Sequence, residues 1–275
     1  MEPETPSAPP VVAVVVVHDP GDWFDETLDA LAGQDYPNLR VLFLVVDPAA
    51  DADGTAAAID ERIQQRLPGS FVRSVGANVG FGAAANEVLR LVEGDNGFFL
   101  ICHDDVAPEP DALRIMVEEL YRSNAGAVGP KFVEWDDPRV LQSVGLGMDR
   151  FGEIDPVVEF GEVDQEQHDG VRDVFVLPSA YLLVRADLFR ELGGFDPAID
   201  FYGEDTELCW RIHHSGARVV VVPSARVRHL GQLRQRRPDL RHGLMRARHR
   251  MRSVATLTGA SRLPARSIEM VLLTL

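Results

Sequence analysis

Two cysteines in 275 residues are too few for a disulfide framework. Cys102 and Cys209 both stand among apolar neighbours, so the expectation is two buried thiols in a reducing compartment. The chain also lacks any run of about 20 apolar residues, the length a membrane-spanning helix needs. Its closing stretch, Ile268-Glu269-Met270-Val271-Leu272-Leu273-Thr274-Leu275, turns apolar but is too short to span a bilayer. It reads as the start of a longer hydrophobic segment. The acidic, Pro-rich Met1-Glu2-Pro3-Glu4-Thr5-Pro6 is wrong for a signal peptide, and residues 1–10 are expected to form a disordered tail. No internal repeat, low-complexity block or clear linker divides the chain. What it does have is core material: 45% of its residues are hydrophobic, enough for one large domain.

Charge is unevenly spread. The net charge is −16, yet residues 226–275 hold twelve Arg against two acids, Asp239 and Glu269, which gives about +10 there and about −26 elsewhere. An acidic body disfavours nucleic acid as a partner. The basic end suits anionic lipid or a phosphate-bearing substrate. Within residues 234–252, Leu240, Leu244 and Met251 fall on one side of a helix with arginines flanking them. That stripe serves either a peripheral membrane contact or packing onto the main domain.

Strand and helix signals alternate through the first half. Val11 to Val17 is a β-branched run, expected to be a strand buried on both faces. Further strands are expected at 40–46, 71–75 and 98–102, with helices at 25–34, 55–67, 83–92 and 110–123. Such alternation implies a parallel, doubly wound α/β sheet. Past residue 125 the pattern loosens. Short strands are expected at 127–129, 174–177, 181–184, 218–222 and 226–229, with helices at 187–192 and 204–214. The acidic, Gly-rich stretch 136–173 is left irregular. The division expected is a domain over 11–230 and a basic helical extension over 231–275.

Two acidic clusters lie where chemistry is expected. His103-Asp104-Asp105 ends the apolar run 98–102, and a carboxylate at a buried strand's C-terminal end faces the ligand crevice of an open α/β sheet. Adjacent acids there are costly unless paired or metal-bound, and Mg²⁺ or Mn²⁺ needs only one or two carboxylates when phosphate oxygens complete its shell. Glu204-Asp205 opens a helix whose dipole is expected to favour the ionised acids, so one of them can take a proton from an incoming hydroxyl. Together they point to metal-assisted transfer from a nucleotide-activated donor. Asp47, at another strand end, suits a ribose hydroxyl or base N–H. Gly80-Phe81-Gly82-Ala83-Ala84-Ala85, beside Asn78 and Asn86, suits a loop passing close to a nucleotide. It follows the third strand rather than the first, which argues against a dinucleotide fold. Trp210, His213 and His214 read as packing and surface residues. His229, at a strand end before Gly231, is as well suited to a site as to packing.

These motifs, with Asp53-Gly54-Thr55, Gly193-Gly194-Phe195-Asp196, Glu207-Leu208 and Arg211, resemble the GT-A-fold glycosyltransferases of family 2, in particular the rhamnosyltransferase-like branch. The resemblance covers about residues 11–230. It implies a single GT-A domain with a mostly parallel central sheet and a smaller antiparallel acceptor-side portion. It also implies an inverting hexosyl- or deoxyhexosyltransferase that uses a nucleotide-diphosphate sugar donor and Mg²⁺ or Mn²⁺. By that likeness Asp47, Asn78, Gly80, Gly82, Asn86 and Asp104 would contact the nucleotide sugar. Asp105, with His229 and His103, would hold the metal, and Asp205, with Glu204, would be catalytic. The family's metal motif usually begins with an acid or Asn, and this chain has His103. The first ligand is therefore Asp104, His103 through nitrogen, or neither.

The acceptor expected is a glycan or lipid-linked hydroxyl, met at the cytoplasmic face of the cell membrane. A sugar-1-phosphate nucleotidyltransferase is disfavoured, because Val17 to Trp23 has one Gly and no basic residue. The reading that competes is a non-catalytic GT-A-like module that binds glycans or scaffolds a membrane complex, for which His103 is the best support.

Overall fold

The structure, a computed structural model, describes residues 8–46, 55–76, 80–149, 151–232 and 241–258. The first half runs β1 (Val11–Val17), α1 (Trp23–Ala32), β2 (Leu39–Val46), α2 (Thr55–Arg66), β3 (Phe71–Val75), α3 (Phe81–Ala85), α4 (Val88–Leu91), β4 (Phe98–His103), β5 (Val106–Pro108) and α5 (Ala112–Ser123). The second half runs β6 (Ala127–Glu134), β7 (Leu141–Ser143), β8 (Leu146–Met148), β9 (Ile154–Pro156), β10 (Arg172–Asp173), β11 (Tyr181–Arg185), α6 (Ala186–Glu191), α7 (Glu204–His214), β12 (Val219–His229) and α8 (His242–Leu257).

One sheet has the strand order β10-β12-β6-β11-β4-β1-β2-β3, with β5 and β7 added to β12 and β6. β1, β2, β3 and β4 are mutually parallel. β11 lies antiparallel between β4 and β6, so the sheet is mixed where strand alternation alone implied a parallel one. β8 and β9 form a separate antiparallel pair. The β-branched runs are buried on both faces, as expected of central strands. Val11, Ala13 and Val15 of β1 pack with Phe24, Leu28, Ile63, Leu113 and Met116 of α1, α2 and α5. Val14 and Val16 face the other layer, with Ala84, Val88, Phe189, Leu208 and Ile212 of α3, α4, α6 and α7. Cys102 and Cys209 are free and buried, as expected, and burial pushes the Cys209 thiol up to about 12.

Several elements differ from expectation. The single helix expected at 83–92 is two, parted at Asn86–Glu87, where the backbone keeps helical angles but its bonds tighten, Glu87 N donating to Ala84 O and Leu89 N to Asn86 O. The strand expected at 174–177 is only an isolated bridge, Val176 to Leu146, and the pairing with β12 falls at 172–173. The two strands expected at 218–222 and 226–229 are one, β12, whose register slips between Val222 and Arg226. Pro223 lies in that gap, and proline has no N–H to offer the ladder. Residues 8–10, assigned above to the tail, are held: Asn38 Nδ2 donates to Ala8 O at 2.8 Å, Tyr36 Oη to Pro9 O at 2.7 Å, and Phe98 N to Pro10 O at 3.0 Å. The irregular 136–173 stretch is tied down by Lys131, buried on β6, whose ammonium meets Asp164 at 2.8 Å and also Asp169.

α8 packs on the domain by a face other than the expected stripe. His249, Ser253 and Val254 are buried, whereas Leu244 and Met251 are 62% and 58% exposed. Leu240 and residues 259–275 lie outside the described residues.

Candidate active site

Strand register assembles the site. β1 and β4 run parallel with Val16 opposite His103, so both end at one edge of the sheet, and His18 N donates to Asp104 Oδ2 at 2.9 Å. After the 103–105 turn the chain re-enters as β5, antiparallel to β12 with Val106 opposite His229. That pairing delivers His229 to Asp105, and Leu230 N closes the corner on Asp105 O at 3.0 Å. His103, Asp105 and His229 thus offer one ligand atom each, all within 4.8 Å of one another.

The Asp105 carboxylate lies 3.7 Å from His103 Nδ1 and 3.5 Å from His229 Nε2, and accepts from Gln232 N at 3.0 Å. Burial alone would push its pKa up. Close approach of the His103 and His229 rings, and their charge, outweigh that and hold the carboxyl well below the usual range. His229 is oriented from behind. Gln142 Nε2 donates to His229 O at 3.1 Å, which turns Gln142 Oε1 toward the ring, and His229 Nδ1–H donates to it at 2.6 Å. One proton is therefore on Nδ1, and Nε2 is the ring atom turned toward Asp105. Nε2 is buried and makes no hydrogen bond. Two imidazoles and a carboxylate, one imidazole held by an outer amide, fit a divalent cation.

Facing the same cavity, of about 700 Å³, are Glu204 and Asp205 at the start of α7. The helix dipole was expected to keep both ionised. The structure reverses this for Glu204: burial, then the neighbouring Asp205 charge, push it up to about 8, and its Oε2 makes no hydrogen bond. Asp205 is raised too, first by burial, against opposing bonds from Thr206 N at 2.6 Å and Thr206 Oγ1 at 3.2 Å. Those bonds favour the anion on Asp205, so a single proton shared by the pair rests on Glu204. Ser179, which sequence reasoning missed, lies between the clusters with Oγ 3.5 Å from His103 Nε2.

Gly80 and Phe81 line the cavity. Gly80 has φ +91, and a Cβ there would sit 2.3 Å from Asp200 O. Packing also requires a glycine at Gly82, where a Cβ would come 2.8 Å from Phe195 Cβ. Asn86, expected near the donor, is bonded to the Phe195 backbone. Its Nδ2 donates to Phe195 O and its Oδ1 accepts from Phe195 N, both at 2.8 Å, a clasp between α3 and the 193–196 turn. Arg211 secures the same turn, donating to Leu192 O and Gly194 O while paired with Glu207. Asp47 and Asn78 lie outside the described residues. Trp210, expected only to pack, is buried but also borders the cavity. Nor did the sequence single out α8 as a wall of the site, although Arg246 and Arg250 both line it.

In sequence and in fold the chain is similar to known proteins. The chain is 29% identical over 239 residues to N-acetylglucosaminyl-diphospho-decaprenol L-rhamnosyltransferase of Mycobacterium tuberculosis (strain ATCC 25618 / H37Rv), covering 80% of this chain and 75% of that one. In fold it is similar to GalNAc-T7, solved with UDP, GalNAc and Mn²⁺, at a TM-score of 0.64 and 15% identity over 81% of this chain and 43% of that one. It is also similar to the mannosyltransferase PcManGT of Pyrobaculum calidifontis, solved with GDP-Man and Mn²⁺, at 0.60 and 22% over 90% of this chain and 63% of that one. Both likenesses place the fold in the GT-A class, and in both cases this chain spans less than two thirds of the solved protein. Residues 9–250 match the family described as glycosyltransferase-like family 2, and with that match across most of its length the chain belongs to this family of sugar-transferring enzymes.

Proposed function

We propose that this glycosyltransferase inverts the anomeric centre, works with a divalent cation and takes a lipid-linked or envelope glycan as acceptor. The observation that carries the reading is the His103–Asp105–His229 cluster sharing one cavity with Glu204–Asp205. A cation held by the three residues supplies neutralisation of the diphosphate's charge. Two nitrogen donors suit Mn²⁺ better than Mg²⁺, which demands oxygen. On the other side Asp205, the ionised member of its pair, accepts the proton of the acceptor hydroxyl. As that oxygen bonds to the anomeric carbon, the bond from the carbon to the diphosphate oxygen breaks. Attack from the face opposite the leaving group inverts the centre. Protonated Glu204 leaves one negative charge rather than two at this point, and Asp104 and Gly80 face the donor.

The acceptor reading is supported by the relative whose name specifies a diphospho-decaprenol sugar and by the outward face of α8. Leu244 and Met251 stand exposed there with Arg241 and Arg248, a pattern that suits the interface of an anionic membrane. Among the described residues no helix is long and apolar enough to cross a membrane; the contact proposed for α8 is a peripheral one, at the cytoplasmic face.

The test is a thermal-shift screen of nucleoside diphosphates with and without Mn²⁺, since a ligand that binds only the folded state raises the melting temperature. At least one should stabilise wild type only with Mn²⁺, and Asp105→Asn should lose that effect while keeping its own melting temperature. An undiminished shift in Asp105→Asn removes the metal from this cluster.

A further inference from the structure

The inward face of α8 presents two guanidinium groups to the active-site cavity of an otherwise strongly acidic protein. Arg246 and Arg250 both line it. Arg246 lies 6.0 Å over the ring of Tyr202 and has no carboxylate within salt-bridge distance among the described residues. Arg250 reaches Glu153, whose side chain is 61% exposed, at the edge of the β8–β9 pair. A planar guanidinium matches phosphate oxygens two at a time, and an ion pair with an exposed carboxylate holds weakly enough to be exchanged.

The position of α8 decides which phosphate these arginines serve. His249 Nδ1–H donates to Phe201 O and Tyr202 O, each at 2.9 Å, and Tyr202 Oη meets His242 Nδ1 at 2.7 Å. The helix is thereby fastened to the loop that leads directly into Glu204 and Asp205. The proposed cation ligands His103, Asp105 and His229 come instead from β4, its following turn and β12. Arg246 and Arg250 accordingly belong to the side of the cavity where the proton-accepting carboxylate meets the acceptor.

We infer that Arg246 and Arg250 form a second anion subsite, which takes the phosphate of an acceptor sugar carried on a phosphate or diphosphate, with Glu153 giving up Arg250 as the acceptor enters. The assignment of that phosphate to the acceptor rests on the transfer reading above. Glu153 then has a use as a placeholder: it holds Nη1 of Arg250 until a better anion arrives, while the buried Nε makes no hydrogen bond.

The experiment is calorimetric titration of the full chain with geranyl diphosphate in EDTA, with inorganic diphosphate and geraniol as the phosphate-only and lipid-only arms. Wild type should bind geranyl diphosphate and, more weakly, inorganic diphosphate, but not geraniol. Arg246→Gln and Arg250→Gln should each weaken geranyl diphosphate by about tenfold or more. Glu153→Gln, a surface change, should tighten it. All three variants should bind a nucleoside diphosphate with Mn²⁺ as wild type does, which also shows that they are folded. Binding that needs Mn²⁺ and disappears in Asp105→Asn puts the diphosphate in the donor's place and overturns the proposal. So does binding that neither arginine substitution weakens, or that Glu153→Gln leaves unchanged. Failure of every nucleoside diphosphate to bind with Mn²⁺ counts against the transfer reading instead, because the EDTA arm does not use the metal cluster.

Discussion

Replacing Glu204 by glutamine should make the protein more stable at neutral pH and flatten its response to pH. In the folded chain Glu204 is raised from 4.5 to about 8, first by burial and second by the Asp205 charge. A carboxyl raised on folding binds its proton more tightly in the folded state than in the unfolded one. Its stabilising effect is therefore complete below about 4.5 and fades as pH climbs through the interval to about 8. Each unit of displacement corresponds to about 1.4 kcal/mol, so by pH 7 the wild type has lost on the order of 3 kcal/mol from this group. Glutamine keeps the shape and neutrality of the protonated acid and carries no such linkage. Urea unfolding followed by tryptophan fluorescence at pH 5, 7 and 8.5 measures the difference directly. The variant's advantage should be about 1 kcal/mol at pH 5 and reach about 3 kcal/mol by pH 7. In an Asp205→Asn background the slope should shrink, because one of the two causes has gone. A wild-type curve parallel to the variant's across this range would falsify the assignment of the proton to Glu204.

Asp205→Asn should keep Mn²⁺-dependent nucleoside diphosphate binding but lose transfer by roughly 10²–10⁴-fold, the usual worth of a positioned base; turnover close to wild type would move the base elsewhere. Gln142→Leu removes the acceptor that fixes the proton on His229 Nδ1, and Mn²⁺ affinity measured by titration should fall roughly 10–100-fold. An unchanged affinity would mean that His229 needs no orienting partner. The chain should co-sediment with anionic vesicles more than with neutral ones, with each cation at the surface adding about 1 kcal/mol. That preference should vanish in about 0.5 M salt through screening, and Leu244→Asp with Met251→Asp should abolish it. Equal, negligible binding to both vesicle types would exclude the membrane contact.

Much of the sheet was legible because its cause is local. Runs such as Val11 to Val17 are apolar at every position, and only a strand covered on both faces uses them so. The antiparallel insertion of β11 was not legible, since no residue of Tyr181–Arg185 records the direction of its neighbours. The division after α3 was hidden too: the 83–92 stretch has sound helical spacing, and Asn86 and Glu87 keep right-handed helical angles where the backbone bonds tighten by one residue. In the site, Asp104 and Asp105 stood out because adjacent carboxylates beside a buried strand are expensive, and Glu204 and Asp205 because they open a helix. His229 could be suspected but not placed, since its approach to Asp105 depends on the β5–β12 register. Gln142 and Ser179 gave no signal, being ordinary polar residues whose partners lie 87 and 76 positions away. Apolar spacing on α8 pointed to the wrong face. Its helix is anchored by a histidine, a serine and one valine, and no hydrophobic periodicity can find such an anchor.

The fastening of α8 to the 201–202 loop separates two kinds of inheritance within one cavity. Tyr202 holds a left-handed backbone, φ +63, without being glycine, and its carbonyl is one of the two that His249 secures. A chain cut after β12 would keep every strand and the three proposed cation ligands. It would lose the wall bearing Arg246 and Arg250, and the bond that holds the approach to Asp205. On the proposed division of the cavity, drift in this one helix alters what is received without disturbing what is given. Grafting α8 from a relative onto these strands is the smallest exchange by which a family with a common donor fold could trade acceptors.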